Sequence, residues 1–381
     1  MDLDFTSEQE MLREMVRGLC ADQAGLTVVR AMEDDPIGYP ASFWQQLSDL
    51  DLVGLLIPEE YGGSGMSMLE GAVVYEEFGR SLSPSPHFAS AIVSAAVLLA
   101  AGSDDQKEAL LPAVAAGGTV IVPAWLEPES GFGPLGVQAR FDGDSLSGTK
   151  WHVPYAAAAD RFLVLARTGD APTDVGLFLV DSDADGVTLT QQMTIASDTQ
   201  YQVAFECVEA EPLGPSGSAA GEGGPATTGG WAVWHNVMLD AIVLLAAQAS
   251  GGAEHALDIT VQYAKDRHQF GKPLGAFQAI AHYLADAVTR VDASRTLVYE
   301  AAWARANDRD TSRLAPMAKL SACDTFRDLT AMAQQVWGGV GFTVEYDIQL
   351  YFRRAKQLQI SWWDSRYLED LIAASVLDRP A

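Results

Sequence analysis

Phe162-Leu-Val-Leu-Ala166, Gly176-Leu-Phe-Leu-Val180, Val187-Thr-Leu-Thr190 and Tyr201-Gln-Val-Ala-Phe205 decide the fold. Each is a short run of apolar or β-branched residues, and Ser145–Leu146 opens the series. Asp142-Gly-Asp and Asp185-Gly punctuate them as turns. The runs lie too close together for a helix to fit between them. An antiparallel sandwich or barrel is therefore favoured over βαβ units.

Outward from this stretch the period changes to that of helices. On the N-terminal side, Thr6 and Gln9 form a capping box before Met11, Leu12, Met15, Val16 and Leu19. Pro58–Gly63 is a break, Met68–Leu82 resumes the helical period, and Ser103-Asp-Asp-Gln106 repeats the capping pattern. On the C-terminal side, Gly214–Gly230 reads as a flexible, glycine-rich connection. Helical runs follow at Trp231–Ala264, Phe277–Ala306 and Ser312–Trp337. The order is helical, β, helical: an α+β multidomain chain with a helical domain at 1–121, a β-domain at 122–222 and a helical bundle at 223–381.

The 381 residues are 48% apolar and 20% charged, enough for a substantial core and unlike a disordered chain. With 24 basic and 51 acidic residues the net charge is −27, which repels phosphate backbones and anionic lipid. Nucleic-acid and membrane-surface roles are disfavoured. The apolar stretches Ala91–Ala101 and Ala241–Ala249 are too short to span a bilayer. The start, MDLDFTSEQE, is too acidic for a signal peptide. Cys20, Cys207 and Cys323 show neither zinc spacing nor a disulfide framework. A cytoplasmic location is expected, and no metal site.

Hydrolase elbows, Walker loops and His-Glu-x-x-His are absent. Gly338-Gly-Val-Gly341 reads either as a helix stop or as a turn that lets a phosphate or ribitol chain approach the backbone. Basic residues are scarce, yet Lys265, Arg267 and Lys272 gather in one stretch and Arg353, Arg354 and Lys356 in another. Such clusters suit a diphosphate, or are simply charges at helix ends.

Four stretches together resemble the acyl-CoA dehydrogenase family. They are Ile57-Pro-Glu-Glu-Tyr-Gly-Gly-Ser-Gly65, Tyr263–Ile280 with Arg267-His-Gln-Phe-Gly271 inside it, Gln335-Val-Trp-Gly-Gly-Val-Gly-Phe342, and Arg353-Arg-Ala-Lys356. The resemblance spans nearly the whole chain and is similar to a bacterial branch that includes heteromeric, steroid-degrading enzymes. It implies an N-terminal helical domain, a central β-domain and a C-terminal four-helix bundle. It also implies α,β-dehydrogenation of an acyl-CoA by FAD: a carboxylate removes the α-proton, and the β-hydride goes to the flavin. An electron-transfer acceptor then takes the electrons. Members are usually dimers of dimers that share each FAD between two subunits.

By this resemblance Arg267, Gln269, Phe270, Gln278, Gln335, Gly338 and Gly339 match the residues that reach FAD held mainly by a neighbouring subunit. The half that receives the flavin ring departs from the pattern. Where the family writes Thr-Glu-Pro-Gly-x-Gly-Ser-Asp, the chain has Leu126-Glu-Pro-Glu-Ser-Gly-Phe-Gly133, so Leu126 and Phe132 replace the hydroxyl residues. Where it writes Trp-Ile-Thr, the chain has His152-Val-Pro154. The family's base falls on Trp362, or at its second location on Ala241 beside Ile242. Asp240 and Asp364 lie next to these points: each is a candidate substitute base, or else an ordinary helix residue and a helix N-cap respectively.

This asymmetry is expected of a base-lacking subunit in a heteromeric acyl-CoA dehydrogenase, working with a homologous partner. The alternatives are a self-sufficient enzyme with a relocated aspartate base, other flavin chemistry on the same fold, or a scaffold without flavin. Trp362 and Trp363 point to a reshaped pocket; the acyl chain is not legible.

Overall fold

The computed structural model describes residues 5–128, 131–214 and 229–377. The second domain boundary, at 222/223, and most of the glycine-rich connection lie outside these residues. By Cα proximity the chain forms two compact units, each assembled from separated stretches of sequence. One contains residues 1–30, 67–83 and 239–381; the other contains 31–66 and 84–238.

The first unit is helical. α1 (Ser7–Gln23) starts at the Thr6–Gln9 capping box, with both reciprocal bonds formed. It packs on α4 (Met68–Ser81), which starts at a second box, Ser67–Glu70, and ends at Leu82 in the left-handed region. α4 carries two buried carboxylates. Glu76 accepts bonds from Arg13, Arg295 and Tyr299, and Glu77 accepts a two-pronged bond from Arg17. α7 (Gly230–Asp266) crosses α4 so closely that a Cβ on Gly79 would strike the Gln248 carbonyl, and one on Gly251 the Glu76 carbonyl. α8 (Gln278–Ala306), α9 (Leu314–Trp337), α10 (Ile348–Ile360) and α11 (Ser365–Leu377) complete the bundle. α9 is its hub, packing against α8, α10 and α11.

α7 corrects one expectation. Its apolar run extends well beyond Ala241–Ala249, and by length and composition the helix could cross a membrane. In its most apolar window, however, 61% is buried inside the protein, as in the core helix of a bundle.

The second unit holds the sheet. The helices α2 (Leu26–Ala31), which crosses the unit boundary, and α3 (Ala41–Asp49) precede it. A π-helical stretch, Phe88–Ser94, then runs into α5 (Ala95–Ala101), followed by α6 (Asp104–Ala115) on its Ser103–Gln106 box. The strands are β1 (Ile121–Ala124), β2 (Arg140–Phe141), β3 (Ser145–Pro154), β4 (Arg161–Arg167), β5 (Val175–Asp181), β6 (Val187–Gln192), β7 (Gln200–Glu209) and β8 (Glu211–Pro212). They form one sheet in the order β6-β7-β3-β2-β4-β5-β8, with β1 added on β4. Most pairs are antiparallel, as the close spacing predicts. β1 and β2 run parallel to β4, so the sheet is mixed rather than wholly antiparallel. β4 is buried along nearly its whole length, which explains why Phe162–Ala166 reads as a continuous apolar run without alternation.

Candidate functional site

The last turns of α7 and α9 are held together. Tyr263 stacks on Trp337 with ring centroids 4.1 Å apart and planes 12° apart. The Trp337 indole donates to the Thr260 hydroxyl at 3.1 Å. This clamp sets two exposed features side by side. One is a hairpin of β9 (His268–Gln269) and β10 (Lys272–Pro273), closed by Leu274 N–H donating to the Arg267 carbonyl at 2.8 Å. The other is the turn Gly338–Phe342 at the end of α9.

The hairpin turn places Phe270 at φ +54° and Gly271 at φ +79°. A bulky residue with positive φ is strained, and here its ring is left 92% exposed. Phe277 steadies the loop through an edge contact with Phe270 and a cation–π contact with Lys272 at 4.2 Å. Gln278 follows as the first residue of α8. Gly338 takes φ +67° and ψ −147°, a conformation reserved for glycine.

The structure thus brings together the hairpin and turn residues that the sequence singles out, with Gln278 just beyond them. Arg267, Gln269, Gln278 and Gln335 are exposed, and among the described residues their side chains have no hydrogen-bond or ion-pair partner. A Cβ on Gly338 or Gly339 would meet nothing within 4 Å. Beneath the turn, the buried Gln334 Oε1 has no donor among the described residues. A free guanidinium, three free amides and open glycines make a donor set suited to a diphosphate and ribitol chain.

The two candidate bases are committed elsewhere. Asp240 Oδ2 pairs with Arg305 Nε at 2.7 Å. Burial pushes its carboxyl above the usual range, against the pull of Arg305. Asp364 caps α11: its Oδ1 accepts the Tyr367 N–H at 2.9 Å and its carbonyl the Leu368 N–H at 3.0 Å. Ala241 and Ile242 are buried in α7. Trp362 and Trp363 both have positive φ. The loop that carries them is fixed by Lys319, a fully buried ammonium donating to the carbonyls of Leu358, Ser361 and Trp363. Desolvation pulls Lys319 below the usual lysine range. The sequence reading missed this clamp, whose one signal was a lysine inside an otherwise apolar stretch of α9.

The β-domain face that the family gives to the flavin ring lacks those donors. The Leu126 side chain has no polar atom, and its carbonyl accepts the Trp151 N–H at 2.9 Å. Phe132 lies against Trp125 at 5.9 Å, and Trp125 against the fully buried Trp234 at 5.2 Å. Glu127 is structural: its carboxylate accepts from Gln138 N, Ala139 N and the buried Lys150 Nζ. Glu129 and Ser130 lie outside the described residues.

His152 sits at a register shift in β3 with φ +55°, its N–H donating to Gln192 Oε1. Its ring orientation follows from its neighbours. Asp198 can only accept, so it takes the Gln200 amide N–H, and Gln200 Oε1 must then accept from His152 Nδ1. Pro154, paired with Gln200, has no donor at all. At positions 126, 132 and 154 the side chains do not fit the polar edge of a flavin ring.

Comparison with known proteins gives the family. Residues 6–118 match the N-terminal domain of acyl-CoA dehydrogenases, and residues 228–377 match the C-terminal domain. The probable acyl-CoA dehydrogenase YngJ of Bacillus subtilis (strain 168) is 30% identical, over 99% of this chain and all of that one. The steroid ACAD Tcur3481-Tcur3483, solved as a single-residue variant, superposes with a TM-score of 0.83 at 32% identity, covering 97% of this chain and 98% of that one. The ChsE4-ChsE5 complex from Mycobacterium tuberculosis gives a TM-score of 0.87 at 25% identity over the full length of both chains. The chain belongs to the acyl-CoA dehydrogenase family.

Proposed function

We propose that this chain is the base-lacking subunit of a heteromeric, FAD-dependent acyl-CoA α,β-dehydrogenase. The observation that carries the reading is an imbalance between the two sets of site residues. Asp240 and Asp364, the carboxylates beside the family's two base positions, are engaged in an ion pair and a helix cap. Arg267, Gln269, Gln278 and Gln335 remain free and exposed.

FAD, when bound, supplies the hydride acceptor for the acyl β-carbon. Arg267 holds the diphosphate as a charge-assisted donor, Gln269 and Gln335 orient the chain next to it, and Gly338–Gly339 admit it to the backbone. Phe270 shields that region from water. A homologous partner subunit supplies the ring pocket and the carboxylate that takes the α-proton, and an electron-transfer protein serves as acceptor. The pairing of two named chains in ChsE4-ChsE5, and the steroid ACAD Tcur3481-Tcur3483, support both the heteromeric reading and a bulky acyl group. A cytoplasmic setting agrees with the three free cysteines.

Flavin counting tests the reading. The chain alone should purify nearly colourless and inactive; coexpressed with an adjacently encoded homologous chain it should hold about one FAD per two chains. A chain that alone holds a full complement of FAD and oxidises an acyl-CoA overturns it.

A further inference from the structure

The last turn of α9 carries two successive glutamines with opposite surroundings. Gln335 is exposed and belongs to the donor set already described. Gln334 is only 4% exposed, yet among the described residues its amide has no hydrogen-bond partner. Its oxygen, Oε1, is shut off from solvent. A buried amide without partners costs stability, and a leucine would fill the same place in the helix without that cost.

The turn that follows is shaped around this side chain. Gly341 is the buried glycine of the turn Gly338–Phe342. A Cβ placed on it would lie 2.6 Å from Gln334 Oε1 and 2.9 Å from the Trp337 Cβ. Its φ is not in the left-handed region, so lack of space rather than backbone conformation calls for glycine here. Trp337 is itself fixed by the Tyr263 stack and the bond to Thr260. On the other side, Gly338 and Gly339 stand open, with nothing within 4 Å of a Cβ. The turn thus has a fixed floor that contains an unbonded amide.

The chemistry of Oε1 narrows what it can meet. An amide oxygen only accepts, so its partner must be a donor. The diphosphate of FAD offers acceptors alone, whereas the sugar chains on its two sides, ribitol and ribose, carry hydroxyls. Rotation of an amide about its last side-chain bond is soft, and no hydrogen bond among the described residues opposes it. Resting on the cofactor reading above, we propose that Gln334 is a further cofactor-binding residue, whose amide oxygen accepts from a sugar hydroxyl next to the diphosphate. Arg267 holds the phosphate oxygens, and Gln334 takes the hydroxyl beside them. That bond offsets the cost of burying the amide.

The test uses the full chain coexpressed with its adjacently encoded homologue, stripped of flavin and titrated again with FAD. Gln334→Leu should weaken FAD binding about five- to tenfold, the worth of one neutral hydrogen bond. The melting temperature of the lone chain should stay the same or rise, because a buried unbonded amide has been removed. FAD analogues that each lack one ribitol or one ribose hydroxyl tell the two sugars apart. One of them should bind the wild-type heteromer as weakly as FAD binds the Gln334→Leu form, and lose nothing further in that variant. Undiminished FAD binding by Gln334→Leu would overturn the inference. A lower melting temperature of the lone chain, with every analogue losing equally in both proteins, would make Gln334 structural and overturn it as well. Arg267→Ala separates the two readings. Affinity that falls there but not in Gln334→Leu sinks this inference alone; affinity unchanged in both sinks the cofactor reading with it.

Discussion

The α7–α9 end of the helical unit and the β-domain face around Leu126 and Pro154 hold the residues proposed as the two halves of a flavin site, in opposite condition. At the helical end the polar side chains are free, the glycines are open and Phe270 is held in strained backbone. On the β-domain face the hydroxyl positions have become Leu126, Phe132 and Pro154, and the polar residues that remain hold the fold together. A residue that keeps its identity need not keep its role. Glu127 stands in the family's Thr-Glu-Pro stretch, yet its oxygens are taken by Lys150 and two backbone N–H groups.

The largest effect is therefore expected where the β-domain face looks functional but is structural. Glu127→Ala strands the Lys150 ammonium, which is fully buried, and leaves two backbone donors without an acceptor. Breaking a buried pair in this way costs about 3–5 kcal/mol. Chemical denaturation should show that loss in the chain alone, with no flavin present. A wild-type unfolding midpoint would mean that Glu127 is held for a ligand instead.

Arg267→Ala makes the opposite test. Among the described residues the guanidinium makes no hydrogen bond or ion pair, so stability should be unchanged. Flavin retention by the heteromer should fall by about 10- to 100-fold, the worth of one charge-assisted hydrogen bond. Lost stability with unaltered flavin binding would reverse the assignment of the two half-sites.

How far the sequence carried this contrast depended on which residues were asked. Helix starts were legible because capping boxes are local: Thr6–Gln9 and Ser103–Gln106 formed as read. The strands were legible from their turns and apolar runs, but the parallel join of β1 to β4 was not. It depends on pairing between segments separated by β2 and β3. Likewise the donor residues could be read off a motif, whereas the fate of Asp240 could not. Its partner Arg305 lies far along the chain, and only the packing of α7 against α8 makes the pair.

The histidines sharpen the comparison more gently, because each unit holds at least one that burial keeps towards its neutral form. Burial holds His87, in the sheet unit, and His255, in the helical unit, down at about 4. The unfolded chain takes up these protons near pH 6.5, well before the folded one does. Stability should therefore be complete above pH 6.5 and fall as pH drops towards 4. His255→Gln should remove part of that slope. An acid melting curve unchanged in that variant would show that carboxylates alone set it.

The smallest effect is the most diagnostic. Asp364 caps α11 through its side-chain oxygen, and asparagine caps a helix as well as aspartate does. Asp364→Asn should then leave both the melting temperature and the turnover of the heteromer within error of wild type. Asp364→Ala, which loses the cap, should cost about 1 kcal/mol of stability and still leave turnover intact. Asp240→Asn weakens the ion pair with Arg305, an interaction with one partner 40% exposed, and should cost less than about 1 kcal/mol. A base behaves differently: its amide variant folds normally and stops the reaction, because the proton has nowhere to go. Loss of turnover in Asp364→Asn or Asp240→Asn, at unchanged stability and flavin content, would place the base on this chain. The two half-sites would then no longer be divided between subunits.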